Sequence, residues 1–363
     1  MKKITFFICS LSSGGAEHQL SILANFLQEK KYEISIITFA DEADHYHLND
    51  GIKRIRITSK GSPIRRYIEI FKYLLKVKTD CFISFGQREN FISLIPFLFR
   101  RKIKFIAGER NFTIGTPSKY EKVLMTVLYK RANYIVPNSF SQNKHIVENN
   151  KRYRQKTITI TNFTDLDEYK FVEKQEENPL KIGIYCRYES QKNCHRFIDA
   201  IYELKKRTKH QFLIEWYGNR VFSNSISQNY YNVFCEKINE LNLQDIVILH
   251  DSVKNVAELM SSYDAICLPS LHEGFSNTIS EGICCGKIML VSDVSDNPVM
   301  VKDGENGFLF DPYSVSEIVI AFEKFFTLTP EQRKSFGKKS RSIAEMLFSK
   351  DKFVKSYISL IES

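Results

Sequence analysis

Short apolar runs alternate with longer amphipathic stretches along nearly the whole of this chain, and the alternation occurs twice. A run that is apolar at almost every position suits a strand buried on both faces, and a helix between two such strands makes them parallel. In the first half the runs are Lys3–Cys9, Glu33–Phe39, Arg54–Ile57, Cys81–Phe85, Lys104–Ala107, Tyr134–Pro137 and Thr157–Ile160. Helical periodicity fills Ala16–Lys30, Arg65–Lys78, Tyr120–Ala132 and Ser141–Asn149 between them. A polar, acidic stretch, Asn162–Asn178, then precedes a second series of strands at Lys181–Tyr185, Gln211–Tyr217, Ile246–Leu249, Ala265–Leu268 and Met289–Ser292. Its helical patterns include His195–Lys206, Tyr230–Asn239, Val256–Ser261 and Ser276–Cys285. At 363 residues the chain exceeds the usual size of one core. The pattern predicts an α/β protein of two tandem Rossmann-like domains with parallel sheets, residues 1–168 and 169–345, and a ligand cleft between them. The terminal stretch Gln332–Glu362 reads as helical and basic until its apolar end, and residues 346–363 are expected to pack back on the first domain.

Composition narrows the class. Hydrophobic residues make up 43% and charged residues 26%, as in a globular protein. No apolar run approaches the ~20 residues that span a bilayer. Lys2 and Lys3 before Ile4–Cys9 imitate a signal peptide, yet the run passes straight into Gly14-Gly15-Ala16-Glu17 without a cleavage-type site, so a first buried strand is expected. Eight cysteines show neither C-x-x-C pairs nor a histidine spacing suited to zinc, which fits reduced thiols in a cytoplasmic protein. The net charge of +10 is concentrated at Lys60, Arg65, Arg66, Lys72, Lys76, Lys78 and Arg100–Lys104, and again at Lys151–Lys156. An anionic membrane surface or a phosphorylated acceptor would explain this excess, and solvated helix faces explain it equally well. There is no nucleic-acid-binding motif, so no nucleic-acid partner is expected.

The segment Leu268-Pro269-Ser270-Leu271-His272-Glu273-Gly274-Phe275-Ser276-Asn277, continuing to Glu281, is a strand, a short polar loop and a helix start. Its loop falls at the carboxyl end of a strand, where open α/β sheets bind ligands. The first amides of the helix suit a phosphate, while Glu273 and Glu281 suit hydroxyls. A sugar joined to a nucleotide carries both groups. After Lys181–Tyr185, the loop Cys186–Asn193 holds Arg187 and Lys192, a fork and a compact charge able to converge on an anion. Near the amino terminus, Gly14 and Gly15 follow the first strand and open a helix, without forming a dinucleotide fingerprint. Gly218 follows Trp216-Tyr217 and reads first as a turn. Asp165-Leu166-Asp167 has the form of a metal-binding D-x-D, but no strand leads into it and no metal role is assigned. The apolar stretch Phe91–Phe99 before Arg100-Arg101-Lys102 has the composition of a membrane-facing helix, but a helix buried against the first sheet, with its basic end in water, explains the same residues and is the reading expected here.

Together these residues resemble the family-4 glycosyltransferases, retaining enzymes of the GT-B fold that act in bacterial surface polysaccharide assembly, lipopolysaccharide and capsule among them. The spacing of Glu273 and Glu281 matches that family's E-x7-E, and Asp303-Gly304-Glu305-Asn306-Gly307-Phe308-Leu309 is similar to its following turn. Asn162 matches an interdomain position. The resemblance implies that Arg187 and Lys192 hold the donor diphosphate. It implies that Glu273 binds hydroxyls of the donor sugar, that the amides around Gly274, Phe275, Ser276 and Asn277 contact sugar and phosphate, and that Glu281 accepts the ribose hydroxyls. Gly15 would face the diphosphate, Gly218 would graze the donor, and Gly14 and Arg110 would contact phosphate or acceptor. Three positions depart from the family pattern. Cys186 replaces a glycine, Gly218-Asn219 replaces a G-x-G, and Glu109-Arg110-Asn111 stands where a histidine is common.

The expected activity is transfer of a sugar from a nucleotide sugar, of UDP type, to a hydroxyl of a lipid-linked or polysaccharide acceptor, with retention and without a metal or other cofactor. The acceptor is expected on a polyprenyl diphosphate, and the enzyme peripheral at the inner membrane face. A nucleotide-sugar epimerase of the same fold, or a non-catalytic sugar-nucleotide-binding module, would share the binding residues.

Overall fold

The computed structural model describes residues 1–363 apart from 13, 41–42, 58–61, 111–118, 174–177 and 223–224. Ser13, Lys60, Asn111 and part of the 162–178 stretch therefore lie outside the described residues. The chain forms two compact units, Met1–Phe163 with Lys350–Ser363, and Thr164–Ser349. The sequence placed the passages after 168 and 345. The packing moves them, because Leu166 and Phe348 both pack in the second core, whereas Phe163 is buried in the first.

Unit 1 contains strands β1 (Lys3–Phe7), β2 (Glu33–Thr38), β3 (Lys53–Arg56), β4 (Cys81–Phe85), β5 (Lys104–Glu109) and β6 (Tyr134–Pro137). They form one parallel sheet in the order β3-β2-β1-β4-β5-β6. Its helices are α1 (Gly15–Glu29), α2 (Pro63–Leu74), α3 (Gln87–Phe97), α4 (Lys119–Leu128) and α5 (Phe140–Asn149). Successive strand residues face opposite ways, so Phe6 joins the core under α1 while Phe7 joins the core under α2, α3 and α4.

Unit 2 contains β7 (Leu180–Tyr185), β8 (Phe212–Tyr217), β9 (Val247–His250), β10 (Ala265–Leu268), β11 (Ile288–Ser292) and β12 (Gly307–Phe310), in the parallel order β12-β11-β10-β7-β8-β9. Its helices are α6 (Cys194–Arg207), α7 (Ser225–Glu240), α8 (Val256–Ser261), α9 (Asn277–Cys284), α10 (Asn297–Met300), α11 (Val315–Phe326) and α12 (Pro330–Leu347). The last helix, α13 (Lys350–Glu362), returns to unit 1 and buries Phe353, Tyr357 and Ile361 in the core under α1. The α/β class and the pair of Rossmann-like sheets agree with the sequence reading.

Four local expectations change. Thr157–Ile160 is not a strand; it runs beside β6 through Ile158 N–H to Ile135 O at 2.9 Å and Ile160 N–H to Pro137 O at 3.1 Å, too few bonds for a ladder. Residues 307–310, read as part of a turn, form β12, and Gly307 is needed there because a Cβ would run into the Met289 carbonyl. The terminal helical stretch is two helices, since Phe348 leaves helical geometry to enter the core of unit 2. The stretch Phe91–Phe99 is buried on one side only: Phe97 is in the core, whereas Phe99 is exposed. Among the described residues no helix is long and apolar enough to cross a membrane.

Candidate active site

From β7 the chain of unit 2 moves outward through β8 to β9, then returns to the other side of β7 with β10. Loops leaving two adjacent strands at such a reversal diverge and open a crevice at the carboxyl ends. The loop after β7, Cys186–Asn193, and the loop after β10, Pro269–Ser276, are thereby neighbours. Two hydrogen bonds fasten them: Leu271 N–H donates to Gln191 O at 2.8 Å, and Gln191 Nε2 donates to His272 O at 3.0 Å. Lys192 closes a 3-10 turn, Ser190–Lys192, followed by Asn193 at φ 58°, whose side-chain amide donates to Pro312 O at 2.7 Å. These bonds hold Lys192 Nζ 2.5 Å from Glu273 Oε1, with side-chain exposures of 12% and 10%. An ion pair this enclosed stays whole only if both partners remain, and removing one strands the other's charge.

The loop ends at α9, whose N-cap is Ser276; its Oγ accepts from Ile279 N–H at 3.4 Å. Phe275 anchors the turn in the core, with its ring against Phe348 at a centroid distance of 6.2 Å. The amides of Phe275, Ser276 and Asn277 therefore sit on a braced turn, preceded by half-buried Gly274. Thr278 Oγ1 donates to Tyr185 O at 2.8 Å and ties the helix start to β7. Ser276→Ala should cost about 1 kcal/mol of stability, read by urea denaturation; an unchanged midpoint would show that this cap contributes nothing.

Glu281 lies inside α9, where burial first and the neighbouring Glu168 second push its carboxyl up to about 8, while a hydrogen bond with Tyr169 pulls it back. The protonated form that this shift favours can both donate to and accept from a diol. Arg187 does not converge with Lys192: its Nη1 lies 3.2 Å from Glu189 Oε1 and the side chain is 65% exposed. Gly218 has a packing reason, because a Cβ would meet Cys186 O and the Tyr188 ring. The Cys186 thiol is pushed up to about 12 by burial and stays neutral.

Unit 1 has its own reversal, between β1 and β4. A cavity of about 450 Å³ lies at that carboxyl edge, bounded by Ser10, Ser12, Gly15, Glu17, Arg88 and Arg110 among others. Gly14 is the N-cap of α1 and Gly86 that of α3, and a Cβ on either would overlap the carboxylate of Glu17 or Glu89 folded back over it. Arg110 is buried: its guanidinium lies 4.3 Å from the Phe85 ring centroid, donates to the Tyr357 hydroxyl, and reaches Asn162 Oδ1 at 3.4 Å. Beside it Glu109 accepts from Asn90 Nδ2 at 2.9 Å and Gln142 Nε2 at 3.1 Å, and burial raises its carboxyl to about 8. Sequence reasoning passed over Tyr169, Glu189, Glu17 and Glu89 as partners of the site. Only the acid three places after each glycine cap was visible as a local pattern. Among the described residues no cluster of His, Cys, Asp or Glu is arranged to hold a metal ion.

Residues 165–343 match the model of the family described as glycosyl transferases group 1, a span that contains both loops and α9. A relative in Campylobacter jejuni is 27% identical over 337 residues, covering 86% of each chain. Its name is N-acetylgalactosamine-N,N'-diacetylbacillosaminyl-diphospho-undecaprenol 4-alpha-N-acetylgalactosaminyltransferase. A second from that organism is 25% identical over 85% of this chain and 84% of its own. It is named GalNAc-alpha-(1->4)-GalNAc-alpha-(1->3)-diNAcBac-PP-undecaprenol alpha-1,4-N-acetyl-D-galactosaminyltransferase. The structure of Anabaena HepE in complex with UDP and glucose superposes with a TM-score of 0.83 over 100% of both chains at 19% identity, a likeness of fold. Over residues 165–343, the span that carries both loops of the crevice between β7 and β10, this chain belongs to the group 1 glycosyl transferases, and its two Rossmann-like sheets have the GT-B fold.

Proposed function

We propose that the enzyme binds a UDP-sugar in unit 2 and transfers the sugar, with retention and without a metal, to a hydroxyl of a glycan held by unit 1 on a polyprenyl diphosphate. The observation that carries this reading is the Lys192–Glu273 contact at the β7/β10 reversal, which sets a cation and a hydroxyl acceptor side by side at a helix start. Lys192 and the amides of residues 274–277 stabilise the charge that develops on the leaving diphosphate. Arg187 joins them by leaving Glu189, because an exposed ion pair is weak. Glu273 binds hydroxyls of the donor sugar and Glu281 those of the ribose. Gly15 faces the diphosphate, Gly218 grazes the donor, and Gly14 and Arg110 serve the acceptor side. Attack occurs on the face that the diphosphate leaves, one of its oxygens taking the acceptor proton.

The Campylobacter relatives, named for undecaprenyl-diphosphate-linked glycans, support a lipid-carried acceptor. The HepE complexes with UDP and with UDP-glucose support the choice of nucleotide. Such an enzyme would work at the inner membrane face, building lipopolysaccharide or capsule. Thermal-shift measurements with UDP-, GDP- and ADP-sugars test the donor: saturation at about 100 times Kd adds ~2.7 kcal/mol, and only the UDP series is expected to show it. A shift confined to GDP-sugars would sink the UDP assignment. NMR of the product's anomeric proton should show the donor's configuration, and EDTA should leave turnover unchanged; inversion or loss of activity would overturn retention or metal independence. Conversion of the donor sugar without any acceptor would mark an epimerase instead.

A further inference from the structure

We propose that the outward faces of α2, α3 and α4 dock unit 1 on an anionic lipid bilayer, an inference that rests on the reading of a lipid-carried acceptor. The three helices cover one sheet face, burying Ile70 and Leu74, Leu94 and Phe97, and Met125 and Leu128 against it. A layer bathed in water would be polar on its other side. Instead an exposed apolar pair four residues apart recurs along all three: Ile64 and Ile68 on α2, Ile95 on α3 with Phe99 in the turn that follows it, and Val123 and Val127 on α4. Ile64 is 71% exposed, Phe99 75% and Val123 59%. Single exposed apolar side chains are ordinary, whereas one stripe on each of three neighbouring helices is a patch.

Exposed cations lie on and next to the same helices. Arg65, Lys72 and Lys76 are exposed on or just beyond α2, Arg101 and Lys102 follow α3, and Lys130 follows α4. Glu69 is an exposed acid on α2 and lies 3.5 Å from Lys72. Phe99 sits on a braced corner. Arg100 Nη1 donates to Leu74 O and Val77 O at 3.0 and 2.6 Å, and Arg131 donates to Phe97 O, Arg100 O and Ile103 O at 2.7, 2.8 and 2.7 Å. These bonds lock the carboxyl ends of the three helices together.

Charge complementarity decides the occupant. A second copy of this chain would set cation against cation, and nucleic acid would leave the aliphatic stripes wet. A headgroup layer over acyl chains takes both kinds of side chain, each cation near it contributing ~1 kcal/mol and each apolar side chain adding its burial.

Co-sedimentation with vesicles of phosphatidylglycerol and phosphatidylcholine in equal parts tests the surface. The wild type is expected to pellet with these at low salt, to leave with rising salt, and to ignore vesicles of phosphatidylcholine alone. The double variant I68S/F99S should lower the partition coefficient by at least ~10-fold at an unchanged melting temperature. It should also slow transfer to an acceptor carried in vesicles while sparing transfer to a water-soluble acceptor glycan. Equal pelleting of wild type and variant, no pelleting of the wild type, or equal affinity for neutral vesicles would each overturn the proposal. A dimer in sedimentation equilibrium that the same variant abolishes would assign the face to a second copy and overturn it too. Vesicle binding that persists while no acceptor of either kind is used would instead refute the catalytic reading and leave the docking surface standing.

Discussion

Lys192→Ala is expected to lower turnover by at least about 100-fold, as the loss of one preorganised charge at a leaving group does elsewhere. Lys192 Nζ lies 2.5 Å from Glu273 Oε1 in a crevice that shields both side chains, so its charge acts with little screening by solvent. The charge on the diphosphate grows as the glycosidic bond breaks, so the ammonium gains more from the transition state than from the bound donor. Turnover should therefore fall much further than KM rises. The substitution also strands Glu273, which would lower stability, so the assay needs a folded control. Lys192→Arg supplies it: the charge is kept, but a planar fork replaces a compact ammonium, and partial activity is expected. Measured as UDP release in the presence of acceptor, near-wild-type turnover in a folded K192A enzyme would remove Lys192 from the mechanism.

Stability is expected to fall as pH rises from about 4.5 through 8, and Glu109 is the group from which most of that slope should come. Its side chain is 1% exposed and its carboxyl is pushed up to about 8 by burial, with Asn90 and Gln142 donating to it. Across that window the folded state holds a proton that the unfolded state has lost. The stabilisation is complete below the unfolded value and gone once pH passes the folded one, a change on the order of a few kcal/mol. Glu281 tilts the curve in the same direction. Urea unfolding at pH 5 and pH 9 tests the assignment: Glu109→Gln should flatten the dependence and leave a residue due to Glu281. An identical slope in wild type and variant would show that Glu109 is charged in the folded protein throughout.

Most of the architecture was readable in the chain. Apolar runs such as Cys81–Phe85 and Ala265–Leu268 are strands because nearly every position is buried, and the break at Pro269 before Ser276 marks a loop and a cap. The failures came where one residue serves a distant partner. Gly307 looked like a turn glycine, yet it lies in a strand because the Met289 backbone comes too close for a Cβ. Phe348 looked like the middle of a helix, yet a different core claims its ring. Lys192, expected beside Arg187, pairs instead with Glu273, 81 positions along the chain, while Arg187 turns to its neighbour Glu189.

Local pattern settled the type of most elements and the kind of chemistry each loop carries, because helix and strand periodicities repeat within a few residues. Strand order settled which loops meet. Nothing within the 187–193 segment records that the loop after β10 lies beside it; that follows from the chain reversing between β7 and β10. The protonation of Glu109 and Glu281 belongs to the same level, since it depends on how much water the assembled elements exclude, a quantity that no single segment carries.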